Sequence, residues 1–103
     1  MLSKDVKWPD SGEIDIMEAV GYDQNRVHST IHCKKYNGML GTQKGGSMMV
    51  PGADKDFHVY ACEWTPTEIK FFVDGKVIFT YAETGSSDTW PFTTPFNLKL
   101  NLA

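Results

Sequence analysis

Short runs in which apolar and polar residues alternate are separated along this chain by stretches dense in Gly, Pro, Asp and Ser. A two-residue period marks a strand with one buried face, whereas a helix repeats its apolar positions every three or four residues. The clearest run, "IKFFVDGKVIFTY", sets two β-prone segments around Asp74-Gly75, a dipeptide suited to the positive φ angles of a two-residue hairpin turn. Upstream, "DFHVYACEW" alternates and feeds through "TPTE" into that hairpin, giving three consecutive antiparallel strands. "RVHSTIHC" reads as another strand, with Val27, Ser29, Ile31 and Cys33 on one face and His28, Thr30 and His32 on the other. "GEIDIMEAV" makes a fifth and "PFNLKLNLA" a sixth, while the glycine-rich "KKYNGMLGTQKGGSMMVPGADK" reads as a long loop with at most a short ordered piece. No amphipathic helix and no internal repeat emerges. The pattern predicts an all-β chain of two packed antiparallel sheets.

Composition narrows the function. A length of 103 residues allows one domain at most, and 41% apolar residues is ordinary for a globular chain. A net charge of −3 without a basic cluster argues against nucleic acid as a partner. No apolar run approaches the roughly 18 residues of a membrane-spanning helix, and "MLSKDVKWPD" lacks the apolar core of a signal peptide. Cys33 and Cys62 have no metal-ligand spacing and read as free thiols.

Glu13, Asp15 and Glu18 interrupt the apolar fifth strand. On a helix they would scatter around the axis; on a regular strand Glu13 and Asp15 would share a face and Glu18 would oppose them. One extra residue, a β-bulge around Ile16-Met17, returns Glu18 to the shared face, and such bulges concentrate beside active sites. Four effective strand steps put the two glutamate Cα atoms about 13 Å apart. Side chains leaning together can close that to about 5–6 Å, the carboxyl separation of a retaining glycosidase. Crowded carboxylates raise one another's pKa, which helps one of them hold a proton as a general acid. The competing reading is a solvent-facing acidic stripe.

"WPDSGEIDIMEAVG" closely resembles the catalytic segment of glycoside hydrolase family 16, in the laminarinase and endo-β-1,3(4)-glucanase branch with the Glu-x-Asp-x-x-Glu pattern. "DFHVYACEWTPTEIKFFVDGKVI" and "WPFTTPFNLKLNLA" resemble that family's downstream segments in the expected order. The resemblance implies a partial β-sandwich of the concanavalin A-like jelly-roll type whose cleft takes a β-glucan polysaccharide. It assigns Glu13 as nucleophile, Glu18 as acid/base and Asp15 as the supporting carboxylate. It implies no metal or cofactor for the chemistry, with a structural calcium conceivable only in a full-length domain. Trp8 and Trp90 become candidates to lie against sugar rings, and His32 and His58 to hydrogen-bond a catalytic carboxylate or the sugar. Asn101 is a candidate to reach a sugar hydroxyl.

Family domains are roughly twice as long as this chain, so residues 1–103 read as an internal fragment lacking the N-terminal strands and the C-terminal end. Missing strands would leave sheet edges unpaired and the core open, which works against folding and activity of the piece alone. The expected parent is a monomeric extracellular, periplasmic or cell-surface β-glucanase. The alternative is a non-catalytic β-glucan-binding module on the same fold.

Overall fold

The structure, a computed structural model, describes residues 1–102. Six strands follow in order: β1 (Glu13–Glu18), β2 (Arg26–His32), β3 (Lys44–Met49), β4 (Tyr60–Trp64), β5 (Glu68–Val73) and β6 (Lys76–Ala82). They form two three-stranded antiparallel sheets, ordered β1-β2-β3 and β4-β5-β6. Among the described residues there is no helix. The expected two-sheet, all-β architecture therefore holds.

The hairpin turn is the one its sequence calls for. β5 ends at Val73 and β6 begins at Lys76, with Asp74 at φ 48° and Gly75 at φ 80° between them. On β2 the inward face carries Val27, Ser29, Ile31 and the adjoining Cys33, all fully buried, as the alternation predicts. Ile14, Ile31, Ile69, Phe71, Tyr81, Trp90 and Phe92 join Cys33 in the main apolar cluster, and Val27, Val50 and Val73 form a smaller one. Burying side chains of this size stabilises the fold by about 1.5–3 kcal/mol each.

Two expectations fail. Lys44–Met49, inside the predicted loop, is a strand in register with β2, Gly45 opposite Thr30 and Gly46 opposite Ser29. Glycine is a poor strand former, but a Cβ on Gly46 would lie 2.9 Å from the Ile78 carbonyl oxygen and 3.1 Å from Phe79 Cβ. Close approach of β3 to β6 demands the residue that makes the strand illegible. Conversely, "PFNLKLNLA" is no strand: only Asn97 pairs, with Leu2, through N–H···O bonds of 2.9 and 3.2 Å. Leu98, Leu100 and Leu102 are exposed, because an alternating run becomes a strand only beside a neighbour with free backbone groups. Ala103, the end of that run, lies outside the described residues.

Gly12 sets the start of β1. It sits at φ +77°, and a Cβ there would come within 2.8 Å of Pro91 and 2.9 Å of Phe92. Gly12→Ala is expected to destabilise the chain by about 2–4 kcal/mol, combining left-handed strain with overpacking. Gly85→Ala, at φ +80° with open space around it, carries only the strain and is expected to cost about 1–2 kcal/mol. Urea midpoints of the two variants check this, and equal losses would remove Pro91 and Phe92 from the account.

Candidate active site

β1 and β2 pair with a shift in register. Glu13 faces His32 and Asp15 faces Thr30, but Glu18 faces His28, so Ile16 and Met17 together oppose Ser29. This is the expected bulge. Ser29, fully buried, holds it by donating its hydroxyl to the Ile16 carbonyl at 2.8 Å. The consequence is the one the spacing called for: Glu13, Asp15 and Glu18 all line one groove of about 600 Å³ beside Tyr60 and Asn101.

The three acids have different surroundings. Glu13 accepts a hydrogen bond from Trp8 Nε1 at 2.6 Å. Burial, and then the charge of Asp15, push its pKa above the ordinary carboxylate value, while the Trp8 N–H pulls the other way. Asp15 Oδ2 lies 3.2 Å from His32 Nε2, with both side chains largely buried. Glu18, more exposed, accepts from the Thr30 hydroxyl at 3.3 Å. The hydrogen bond to Asp15 raises the His32 pKa, burial opposes that, and the charges of Asp15, Glu13 and Glu18 reinforce it.

Of the other candidates, Asn101 lines the groove, while Trp8 and His32 touch its acids from behind, at Glu13 and Asp15, with their ring centroids 6.1 Å apart. Two other candidates need correction. Trp90 is 4% exposed, stacked on Tyr81 at 5.7 Å and edge-on to Phe92 at 5.2 Å. A ring enclosed by core aromatics has no face to offer a sugar. His58 pairs through Nδ1 with Asp74 Oδ2 at 2.7 Å, and the Val59 N–H donates to Asp74 Oδ1 at 2.9 Å. It clamps the β5–β6 turn, because the segment before β4 runs to that end of the other sheet.

Thr30 and Tyr60 were missed. The signal for Thr30 was present, since alternation already placed it with His28 and His32; for Tyr60 it was absent, because the groove joins two sheets. Glu13, Asp15 and His32 offer ligand atoms within 4.8 Å of one another, a spacing open to a cation. His32 Nε2, however, is already engaged by Asp15, and Nδ1 accepts the Gly38 N–H at 3.1 Å. The set is better suited to holding one another than an ion.

Comparison with known proteins gives a consistent picture. The pattern of glycosyl hydrolases family 16 matches residues 1–103. The chain is 52% identical over 102 residues to a beta-glucanase of Rhodothermus marinus, covering 93% of this chain and 36% of that protein. It is 39% identical to a keratan-sulfate endo-1,4-beta-galactosidase of Sphingobacterium multivorum, covering 93% of this chain and 23% of the relative. Among solved structures, SCLam, a non-specific endo-beta-1,3(4)-glucanase, superposes with a TM-score of 0.85 at 40% identity, over 92% of this chain and 36% of its own. The chain spans about a third or less of the length of these relatives.

The raised Glu13 pKa has a signed consequence for stability. A carboxyl whose folded pKa exceeds its unfolded value contributes stability below the ordinary value of 4.5 and loses it as the pH rises through the folded value. Glu13→Gln keeps an acceptor for Trp8, gives Asp15 a donor and removes the charge. Its urea midpoint is expected to exceed that of the wild type at pH 7 and to converge with it at pH 4. A constant gap across that range would show that ionisation of Glu13 is not what burial penalises.

Proposed function

This chain belongs to glycosyl hydrolases family 16, and on that premise we propose that it carries the reacting carboxylates of an endo-acting, retaining β-glucanase. The observation behind the reading is the bulge at Ile16-Met17, which turns three acids of one strand onto a single groove. In the first step the Glu13 carboxylate attacks the anomeric carbon as Glu18 gives its proton to the departing glycosidic oxygen. In the second, Glu18 takes a proton from water, whose oxygen attacks the same carbon and releases Glu13 from the glycosyl ester.

Each neighbour has a use in this scheme. Glu13 must be ionised to attack, and the Trp8 N–H stabilises its charge against burial and Asp15. Asp15 keeps negative charge beside the carbon that becomes oxocarbenium-like, and Thr30 orients Glu18. The substrate is β-1,3-glucan or mixed β-1,3-1,4-glucan. A polymer of this kind does not cross membranes, so the whole enzyme works outside the cytoplasm, as a single chain.

In the polypeptide that carries this segment, Glu13→Gln is expected to lower laminarin hydrolysis by at least about 10³-fold while glucan binding persists. Azide rescue assigns the roles: Glu13→Ala should yield the α-glycosyl azide and Glu18→Ala the β-anomer. The reverse pair would exchange nucleophile and acid. Wild-type binding of glucan without any sugar release would favour a non-catalytic module, and release from keratan sulfate but not laminarin would move the substrate to galactans.

A further inference from the structure

The β2–β3 connection makes a contact that this scheme does not use. His32, at the end of β2, directs Nε2 to Asp15 Oδ2 at 3.2 Å, and its Nδ1 faces the Gly38 backbone N–H at 3.1 Å. A backbone N–H only donates, so Nδ1 must present its lone pair and the ring proton must sit on Nε2. We propose that the Gly38 amide holds His32 as the neutral Nε2–H tautomer, making it a positioning residue that donates one hydrogen bond to Asp15 without bringing positive charge to the groove. The proposal rests on Glu13, Asp15 and Glu18 being the reacting set.

The loop is constructed to keep that amide in place. Asn37, 1% exposed, donates from Nδ2 to the Cys33 and Lys34 carbonyls, both at 3.1 Å, and accepts the Leu40 N–H on Oδ1 at 3.1 Å. Its own carbonyl accepts the Leu40 and Thr42 amides, which makes Gly38 the second residue of an Asn37–Leu40 turn. This buried asparagine fixes the N–H of its neighbour.

Charge and geometry pull His32 in opposite directions. Asp15, Glu13 and Glu18 on β1 favour the imidazolium; the Trp8 ring is uncharged, and Lys44 on β3 is turned onto the Tyr36 ring, 4.4 Å from its centre. An imidazolium, however, would set Nδ1–H against the Gly38 N–H. A neutral ring avoids that clash and leaves the Asp15 charge undiminished beside Glu13.

The test is long-range ¹⁵N NMR of the imidazole rings, with His32 assigned by its loss in His32→Gln. At pH 7.5 the wild type is expected to show a bare Nδ1 and a protonated Nε2. Gly38→Ala keeps the N–H, and its Cβ would lie 3.5 Å from His32 Cε1, so its ring titration should match the wild type. Gly38→Pro, at a turn position that accepts proline, replaces the N–H with a ring carbon that excludes His32 Nδ1 from the contact, and should raise the His32 titration midpoint by about one pH unit. An Nδ1–H tautomer or an imidazolium in the wild type at pH 7.5 overturns the proposal whether or not the proline variant folds. So does a Gly38→Pro variant that titrates like Gly38→Ala. No sugar enters the measurement: if Glu13→Gln retains hydrolysis while the ring behaves as stated, it is the catalytic reading that fails.

Discussion

Parity along a strand is strict, and everything at this site depends on one residue being out of step. Successive side chains of a regular strand must point to opposite faces, so an odd spacing between Asp15 and Glu18 would send them apart. Holding two residues opposite one leaves part of the ladder unpaired, and in a buried setting that loss needs a replacement. Ser29 supplies it: its buried hydroxyl donates to the Ile16 carbonyl. The inward face of β2 thus spends a polar residue, amid Val27 and Ile31, on keeping the outward face of β1 chemically useful.

The groove then carries a line of polar contacts from Trp8 through Glu13 and Asp15 to His32 and Gly38. Partly buried carboxylates are individually unfavourable, and the line does not cancel that cost completely, since Glu13 still holds its proton more tightly than an ordinary glutamate. Such residual tension is characteristic of sites whose charges are arranged for a reaction rather than for stability. The surrounding apolar cluster, with Ile14 and Ile31 directly beneath β1 and β2, supplies the rigidity that keeps the acids together.

Where local chemistry decides structure, the sequence was legible. Asp74-Gly75 can make only a few kinds of turn, the β2 alternation has one sensible inward face, and a bulge is what brings the three acids to one face. Where tertiary surroundings decide, it was not. β3 is written in glycines because β6 lies against it, and the leucines of 98–102 alternate beside no partner strand. Trp90 and His58 became cleft candidates through the family resemblance; the aromatic cluster around one and Asp74 beside the other are visible only once the chain has closed. Strand parity located the acids and the family resemblance assigned their roles, whereas Asn37 and Gly38 resemble any loop.

The amide at Gly38 has an implication for how such a site tolerates variation. A contact made by the main chain is not spelled by any side chain, so almost every substitution at position 38 leaves it intact and proline alone erases it. Comparing residue identities at that position across relatives would suggest an unconstrained site. The constraint would be recorded instead one residue earlier, at the buried asparagine, and in the length of the loop that returns the chain to β3.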